Sequence, residues 1–358
     1  MGSSRKKRKA DSEENNISKA ETPAPDHSSI EDEFGSTYEA VWADELIFQE
    51  KTKYQDLAVF RSNSYGVCLC LDGVIQSTEK DEHIYHERLV HVPLLLCPKP
   101  RRVVICGGGN GGAAREVLKH KSVKEVFLIE IDPAVRNAAK RFIQSQSAAL
   151  SDSRVTTIFA DACNFEKWPE GCFDVIIVDS TDMGTTAGRS DHLWSQAFFE
   201  GCLSRLQPSG QLSTQLGACV VGTRHIGFSQ AASNGVSTLR AAGFGSVRPY
   251  VAEIESYGGF AIFCLAAKER TAKEKQICRG GGQVGMADSF TSPVPDLKEV
   301  DWKARASARG LPGSTKVSFE DITACFTLPA FMAHEFEEAL SHASGSKREK
   351  QKTAIRRT

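Results

Sequence analysis

The sequence has no long hydrophobic run: no apolar stretch approaches the roughly 18 residues that a membrane-spanning helix needs. It also lacks an apolar segment behind the basic patch near its N-terminus, so a secretory signal is not indicated. Neither sign of charge is in excess, since 44 Lys and Arg residues face 45 Asp and Glu residues. No overall field recruits a nucleic acid or an anionic membrane. We therefore expect a cytoplasmic protein that binds neither.

Spacings typical of metal sites are also missing. The 11 cysteines lie scattered in apolar stretches, such as the one around Cys68 and Cys70. We interpret them as reduced thiols of a core in a reducing compartment. Isolated histidines such as His120 and His225 are interpreted as core or surface residues. The sequence thus predicts neither a metal site nor a prosthetic group.

Both ends of the chain are polar. Residues 1–36 are rich in Ser, Lys, Glu and Asn and cannot offset their own ordering entropy, so we expect a disordered tail. The basic run that begins at Arg5 and ends at Lys9 has the form of a nuclear localisation signal. Two interpretations stay open there, a nuclear fraction of the protein or a solvated charge run. Residues 345–358 are predicted to be a basic tail.

The interior divides into an N-terminal β domain and a larger α/β domain. Alternating residues with turn chemistry at Asp72-Gly73 predict a small antiparallel sheet within 37–78. After a helix near 79–96, apolar runs alternate with helical segments up to 267, which predicts a doubly wound, mostly parallel sheet. Its strands are expected at 103–106, 126–130, 155–159, 175–178, 210–215, 247–254 and 260–266. A loop or insertion over 268–315 and a helical segment over 316–344 should follow.

A glycine-rich turn carries the first chemical signal. The predicted strand at 103–106 leads directly into Gly107-Gly108-Gly109-Asn110-Gly111-Gly112, where glycines allow a tight turn and close approach of a ligand. The next strand ends at Glu130, about 20 residues downstream, where an acid can bind both hydroxyls of a ribose. This combination predicts a nucleoside site.

More acids follow the next strands. Asp161 comes after the third strand, and Asp179 and Asp182 come after the fourth. All of them should lie in the crevice at the carboxyl ends of the sheet. Carboxylates repel a pyrophosphate and attract cations, which disfavours a nicotinamide dehydrogenase. The ligand that fits both signals is an adenosyl sulfonium beside a cationic cosubstrate.

Taken together, these motifs resemble the spermidine synthase family of polyamine aminopropyltransferases. The resemblance runs in order from about residue 54 to 268 and returns at 324–329. It is carried by the glycine turn and by residues 53–56, 71–82, 85–87, 91–94 and 179–182. It implies a small β domain on a methyltransferase-like α/β domain, with a homodimer as the expected assembly.

The resemblance also implies a reaction and its residues. An aminopropyl group would pass from decarboxylated S-adenosylmethionine to putrescine, giving spermidine and 5′-methylthioadenosine, with Asp179 as the catalytic acceptor of a proton. Cadaverine and spermidine stay open as other acceptors. The donor would be held by Gln55, Gly107, Gly109, Asn110, Glu130, Asp161 and Ala162. The amine would be held by Gln76, Tyr85, His86, Asp179, Asp182, Gln215 and Tyr257.

One departure from the family pattern keeps alternatives open. Family members usually carry Asp after the third glycine, where this chain has Asn110, which keeps hydrogen bonding but drops the charge. An N-methyltransferase that uses intact S-adenosylmethionine and a diamine is therefore a second hypothesis. A catalytically silent relative that regulates a partner is a third, although the retained Tyr85, Asp161, Asp179 and Asp182 argue against it.

Overall fold

The structure is a computed structural model that describes residues 41, 43–181, 191–220, 230–268, 300–311, 322, 324–328, 332–334 and 336–341. Several predictions fall outside these residues. They are the N-terminal tail with its basic run Arg5 to Lys9, most of the 268–315 segment, the C-terminal tail, and the site residue Asp182.

An antiparallel sheet of four strands opens the described chain, in the order β1-β2-β3-β4. Its strands are β1 (Glu45–Lys51), β2 (Asp56–Ser62), β3 (Gly66–Leu71) and β4 (Val74–Thr78). The predicted turn between β3 and β4 has positive φ at both Asp72 (49°) and Gly73 (82°), which matches the twist of a hairpin. Strand β1 lies within the range 37–78 in which the sequence predicts a sheet, but its mostly exposed residues give no clear alternation from which its bounds could be predicted.

Helix α1 (Glu82–Leu96) connects this sheet to a second one and is buried along almost its whole length. The second sheet has seven strands: β5 (Arg102–Gly107), β6 (Glu125–Glu130), β7 (Val155–Phe159), β8 (Phe173–Asp179), β9 (Leu206–Val220), β10 (Ser246–Ile254) and β11 (Gly259–Ala267). Their order is β10-β11-β9-β8-β5-β6-β7. Strands β5 to β9 are parallel, and β11 is antiparallel to both β9 and β10. The predicted fold class is confirmed.

Helices cover both faces of the larger sheet. They are α2 (Gly112–Leu118), α3 (Pro133–Phe142), α4 (Gln144–Ser147), α5 (Gln196–Arg205) and α6 (Gln230–Ala241), with 3₁₀ turns at Ala148–Ser151, Phe165–Lys167, Asp191–Trp194 and Glu255–Tyr257. One core cluster packs α1 and α2 on Val103 and Ile105. The other packs α5 and α6 on Val104 and Cys106. Burial on both faces explains why the central strands β5 and β8 contain continuous apolar runs.

The described part of the expected loop at 268–315 contains a short helix, α7 (Trp302–Ala308). Asp301 caps its N-terminus by accepting the N–H of Ala304 at 2.8 Å. Only Trp302 and Ala306 of this helix are buried, so the sequence offers too little periodicity to reveal it. In the expected helical segment at 316–344, the described buried residues are Ile322, Cys325, Met332, Phe336 and Ala339. Within the described ranges, no helix has the length and apolar character to cross a membrane.

Candidate active site

A cavity of about 200 Å³ opens at the carboxyl ends of the parallel strands, with β3 and β4 of the smaller sheet on its other side. It brings together nearly all the predicted site residues that the structure describes. Those lining it are Gln55, Gln76, Tyr85, Gly107, Gly109, Asn110, Glu130, Asp161, Ala162, Asp179, Gln215 and Tyr257. His86 does not line the cavity but lies behind Asp179.

The glycine turn forms one wall. Gly107 and Gly108 have φ angles of 84° and 71°, which side chains rarely adopt. Gly108 donates its N–H to the carbonyl of Asp179 at 2.8 Å. A Cβ atom on Gly107 would overlap that same carbonyl oxygen. The turn therefore needs glycine to pass tightly against the end of β8.

Glu130 lies at the end of β6 and is 6% exposed. Its Oε2 accepts the N–H of Gly109 at 3.0 Å, and its Oε1 accepts the N–H of Asp132 at 2.9 Å. Burial raises the pKa of Glu130 to about 7, against the lowering effect of these N–H groups. Each carboxylate oxygen has a further lone pair, so the side chain can still accept hydroxyl groups of a ribose.

Asp132 joins the two sheets at the same end of the cavity. Its Oδ2 accepts Thr52 Oγ1 at 2.8 Å and Gln55 Nε2 at 3.0 Å, while its Oδ1 caps α3 through the N–H of Ala134. The sequence analysis did not assign Asp132 to the site. The feature of the sequence that could have indicated Asp132 as a site residue is its position two residues after Glu130, at the end of a strand. Asp132 orients Gln55 by holding its amide nitrogen.

Two other predicted residues complete this half. Asp161 Oδ1 accepts the N–H of Cys163 at 2.8 Å, and the carbonyl of Ala162 accepts Trp168 Nε1 at 2.9 Å. Apolar lining that the sequence analysis did not single out comes from Ile129, Ile131, Val135 and Leu193. This half thus combines acids at strand ends with an apolar wall, which suits a nucleoside.

The other half of the cavity is a carboxylate among aromatic rings. Tyr85, on α1, donates its hydroxyl to Asp179 Oδ1 at 3.0 Å. Tyr257 donates its hydroxyl to the carbonyl of Gln76 at 2.9 Å, and the ring centroids of the two tyrosines are 6.1 Å apart. A cavity lined by a carboxylate and by two tyrosine side chains suits an alkylammonium group.

Burial raises the pKa of Asp179 above its usual range, while the charge of His86 and the hydroxyl of Tyr85 lower it. Asp179 Oδ2 is buried and has no hydrogen-bond partner among the described residues. A carboxyl group with a raised pKa is a better match to a general base than an ordinary aspartate.

Gln215 has both ends of its amide bound to the backbone. Its Nε2 donates to the carbonyl of Ser180 at 2.7 Å, and its Oε1 accepts the N–H of Gly217 at 2.6 Å. Gln215 thus holds the chain just beyond Asp179. These two hydrogen bonds fix the orientation of the Gln215 amide at this side of the cavity.

Two family models match the chain. One is described as "Spermine/spermidine synthase domain" and matches residues 82–276. The other is described as "Spermidine synthase tetramerisation domain" and matches residues 30–79.

The chain belongs to the spermine/spermidine synthase family. Among curated relatives of the family, it is 39% identical over 194 residues to a polyamine aminopropyltransferase of Klebsiella pneumoniae. It is 40% identical over 194 residues to that of Salmonella arizonae. Each alignment covers 54% of this chain and 66% of the relative, slightly under two thirds of the relative's length.

Solved structures of the family extend the likeness over more of the chain. A spermidine synthase in complex with the transition state analogue AdoDATO is 29% identical, with a TM-score of 0.68, over 83% of this chain and 90% of that one. Spermidine synthase from Thermotoga maritima is 27% identical, with a TM-score of 0.65, over 83% of this chain and 89% of that one.

Proposed function

We propose that this protein transfers an aminopropyl group from decarboxylated S-adenosylmethionine to putrescine, forming spermidine and 5′-methylthioadenosine. The observation that carries the proposal is that a single cavity joins a nucleoside-type half around Glu130 to a cation-type half around Asp179. Membership of the spermine/spermidine synthase family supports the reaction class. The transition state analogue bound by a structural relative supports a sulfonium donor.

In this proposal the donor is a substrate, and the protein needs no prosthetic group. Glu130 and Asp161 accept hydrogen bonds from the adenosyl moiety, with Gln55, Ala162 and the turn at Gly107 and Gly109 around it. Gln76, Tyr85, Gln215 and Tyr257 surround the diamine. Asp182, outside the described residues, stays a proposed anchor for its far ammonium.

The chemical step is an in-line substitution at carbon. The amine nitrogen attacks the methylene carbon bonded to the sulfonium, the new C–N bond forms as the C–S bond breaks, and the bonding pair of electrons moves to sulfur. Asp179 accepts the proton that the amine must lose, because free alkyl amines, like Lys, have pKa values of about 10.4. Alignment of the three atoms can contribute roughly 7 to 11 kcal/mol to lowering the barrier.

The test is product analysis. The purified protein is incubated with decarboxylated S-adenosylmethionine and putrescine, and spermidine and 5′-methylthioadenosine are measured by mass spectrometry. The variant Asp179→Asn should lose roughly 10²- to 10⁴-fold in kcat, the usual contribution of a general base. Its affinity for the donor should stay close to that of the wild type. A wild-type protein that binds the donor but forms neither product would overturn the proposal.

A second candidate function, N-methylation of the diamine with intact S-adenosylmethionine, is favoured by the geometry of Asn110. Asn110 is 8% exposed, and its Oδ1 accepts the N–H of Gly112 at 3.0 Å. That bond uses the amide oxygen as an acceptor, so the group that Asn110 can offer to a ligand in the cavity it lines is the donor NH₂. A donor group suits the carboxylate of intact S-adenosylmethionine, whereas an aspartate would suit the ammonium of the decarboxylated form.

The two candidates differ in donor preference and product. Calorimetric titration with each donor, followed by putrescine, gives both readouts. Aminopropyl transfer predicts at least tenfold tighter binding of the decarboxylated donor, a difference of about 1.4 kcal/mol. Methyl transfer predicts equal or tighter binding of the intact donor and formation of N-methylputrescine. Asn110→Asp should strengthen the preference for the decarboxylated donor, and unchanged affinities would exclude a role for this side chain in donor choice.

A further inference from the structure

A buried ionic cluster lies directly behind Asp179, and the chemistry proposed above leaves it unused. His86 is 1% exposed and Glu82 is 6% exposed, one turn apart on α1. His86 Nδ1 is 2.6 Å from Glu82 Oε2, and His86 Nε2 is 3.9 Å from Asp179 Oδ2. The imidazole ring thus stands between a buried carboxylate and the carboxylate that faces the amine.

The cluster is held rigidly from the side of α2. Arg115 donates to Glu82 Oε1 at 2.8 Å and to Glu82 Oε2 at 2.9 Å, the bidentate pairing that fixes a carboxylate in one orientation. Its Nε donates to Glu116 Oε1 at 2.8 Å. A methyl group at Gly112 would overlap the His86 ring, so the helix backbone packs directly on it. Neither Glu82 nor His86 can move without disturbing α2.

The charges around the ring favour its protonated form. Glu82 on α1 and Asp179 on β8 face its two nitrogens, Arg115 on α2 lies beyond Glu82, and the ring of Tyr85 meets it edge-on. Burial alone would lower the pKa of His86, but the hydrogen bond to Glu82 and the charges of both carboxylates raise it overall. For Glu82 the direction is reversed: burial alone would raise its pKa, but the hydrogen bonds and charges of His86 and Arg115 lower it to about 2.

We propose that Glu82 holds His86 as an imidazolium behind Asp179, and that this buried cation keeps Asp179 ionised to accept the proton of the amine. His86 itself gives up no proton and touches no substrate, so Glu82 and His86 are positioning residues. The balance of the reaction is unchanged: the proton moves from the amine nitrogen to Asp179, and the electrons of the C–S bond move to sulfur. The catalytic half of the proposal rests on the proposed function, whereas the charge state of His86 does not.

The first test measures that charge state without turnover. Protein labelled with ¹⁵N-histidine is titrated by NMR, and the His86 signals are assigned by their loss in His86→Gln. In the wild type, the imidazolium pattern of His86 should persist through neutral pH, well above the usual histidine pKa of about 6.5. A neutral His86 ring at pH 7 in the wild type would overturn the proposal. This result stands even if no aminopropyl transfer is detected, so failure of the proposed function is recognised separately.

The second test follows the consequence for catalysis in Glu82→Gln, which keeps the shape of the side chain and removes its charge. Its His86 should be neutral at pH 7, and the acidic limb of its kcat profile should move up by at least about one pH unit. The KM for the donor should stay within about twofold, because Glu130 and the glycine turn are untouched. Glu82→Asp, which keeps the negative charge, should move the acidic limb by a smaller amount than Glu82→Gln does. A folded Glu82→Gln protein with the wild-type profile would contradict the proposal.

The matched control is Glu87→Gln, a change of the same kind on the same helix. Glu87 is 1% exposed, and its carboxylate pairs with Lys119, at the C-terminal end of α2, at 3.8 Å. This variant should retain both the protonated His86 and the wild-type kcat profile. An equal shift in Glu87→Gln would mean that any lost buried charge in α1 has the effect, and the specific role of Glu82 would be refuted.

Discussion

At the scale of single residues, Glu130 should couple donor binding to pH. Its pKa of about 7 means that the carboxyl is half ionised near neutral pH. The ionised form accepts more hydrogen bonds from ribose hydroxyls than the acid does. We expect the affinity for the decarboxylated donor to rise up to about tenfold between about pH 6 and pH 8, as the carboxyl ionises. Calorimetric titration across this range measures the effect.

The control for this prediction lies on the same strand. Glu125→Gln removes an exposed carboxylate that pairs with Arg102 at 2.7 Å, and it should leave the pH dependence intact. Glu130→Gln should abolish the pH dependence of donor affinity.

The stability of the unliganded protein should depend on pH in the opposite direction. A carboxyl with a raised pKa holds a proton that the unfolded chain releases, so the free energy of unfolding falls as pH rises from about 4.5 to about 7. A Glu130→Gln protein whose donor affinity and stability keep the wild-type dependence on pH would refute the assignment of both effects to Glu130.

The locations of the site residues could be predicted from the sequence, but many of their partners could not. Glu130, Asp161 and Asp179 each follow a buried strand, and parallel strands place their carboxyl ends at one edge. The partners depend on contacts between distant segments. Asp132 meets Gln55 across 77 positions of sequence, and His86 lies behind Asp179 instead of beside the cavity. The local pattern of apolar and polar residues does not indicate which residues distant in sequence form such pairs.

At the scale of elements, α7 supports the end of α1. Arg305 donates to the carbonyl of Leu95 at 3.1 Å, and Arg309 donates to the carbonyls of Cys97 and Pro98. The last turn of α1 contains no basic residue, so these guanidinium groups provide the positive charge that a helix C-terminus favours. Trp302, 2% exposed, anchors α7 by stacking on Phe326.

Arg305→Ala should therefore lower the free energy of unfolding by about 1 to 2 kcal/mol, the range for a lost charged hydrogen bond at a half-buried site. The kcat should change by less than about twofold, since Tyr85 and His86 lie in the opposite half of α1. Urea denaturation and steady-state kinetics measure the two quantities. Ser307→Ala, an exposed change on the same helix, should alter neither. Equal stability of Arg305→Ala and the wild type would show that α7 does not support α1.

How well a helix or strand could be predicted from the sequence depends on how much of its surface is buried. The central parallel strands β5 and β8 are covered on both faces, so their apolar runs predicted them within two residues. Strand β1 has no buried residue, and helix α7 has two, Trp302 and Ala306. Helix α7 is held by contacts with α1, which is distant in sequence. With so few buried residues, α7 shows no helical period, and the range predicted as a loop therefore contains it. For β1, the sequence predicted a sheet within 37–78 but gave no bounds for this strand.

At the scale of the whole molecule, the site needs both sheets. The smaller sheet provides Gln76 and the connection that contains Gln55, while the larger one provides Glu130 and Asp179. Asp132 links them through Thr52 and Gln55, and Tyr257 links them through the carbonyl of Gln76. Each half takes residues from both sheets, so the relative position of the two sheets sets the width of both the donor half and the amine half. A change that loosens the smaller sheet should act on both halves together.

The smaller sheet also offers a surface for assembly. Leu46 on β1 is 61% exposed, and within the described residues β1 pairs only with β2, so one strand edge is open. An open edge with an exposed apolar residue favours contact with another subunit. The description of the matching N-terminal family model also points to assembly, without choosing between the homodimer expected from sequence and a tetramer. We therefore expect an oligomer in solution.

Light scattering coupled to gel filtration tests this prediction. The wild type should elute as an oligomer, and Leu46→Glu should shift it toward smaller species, because a charge placed in a buried apolar contact is costly. Glu50→Gln, on the exposed part of the same strand, should leave the assembly unchanged. A monomeric wild type would refute the prediction, and an oligomer that Leu46→Glu leaves intact would place the interface elsewhere. If the dissociated variant also binds the donor more weakly, assembly through β1 stabilises the sheet that contributes Gln55 and Gln76 to the site.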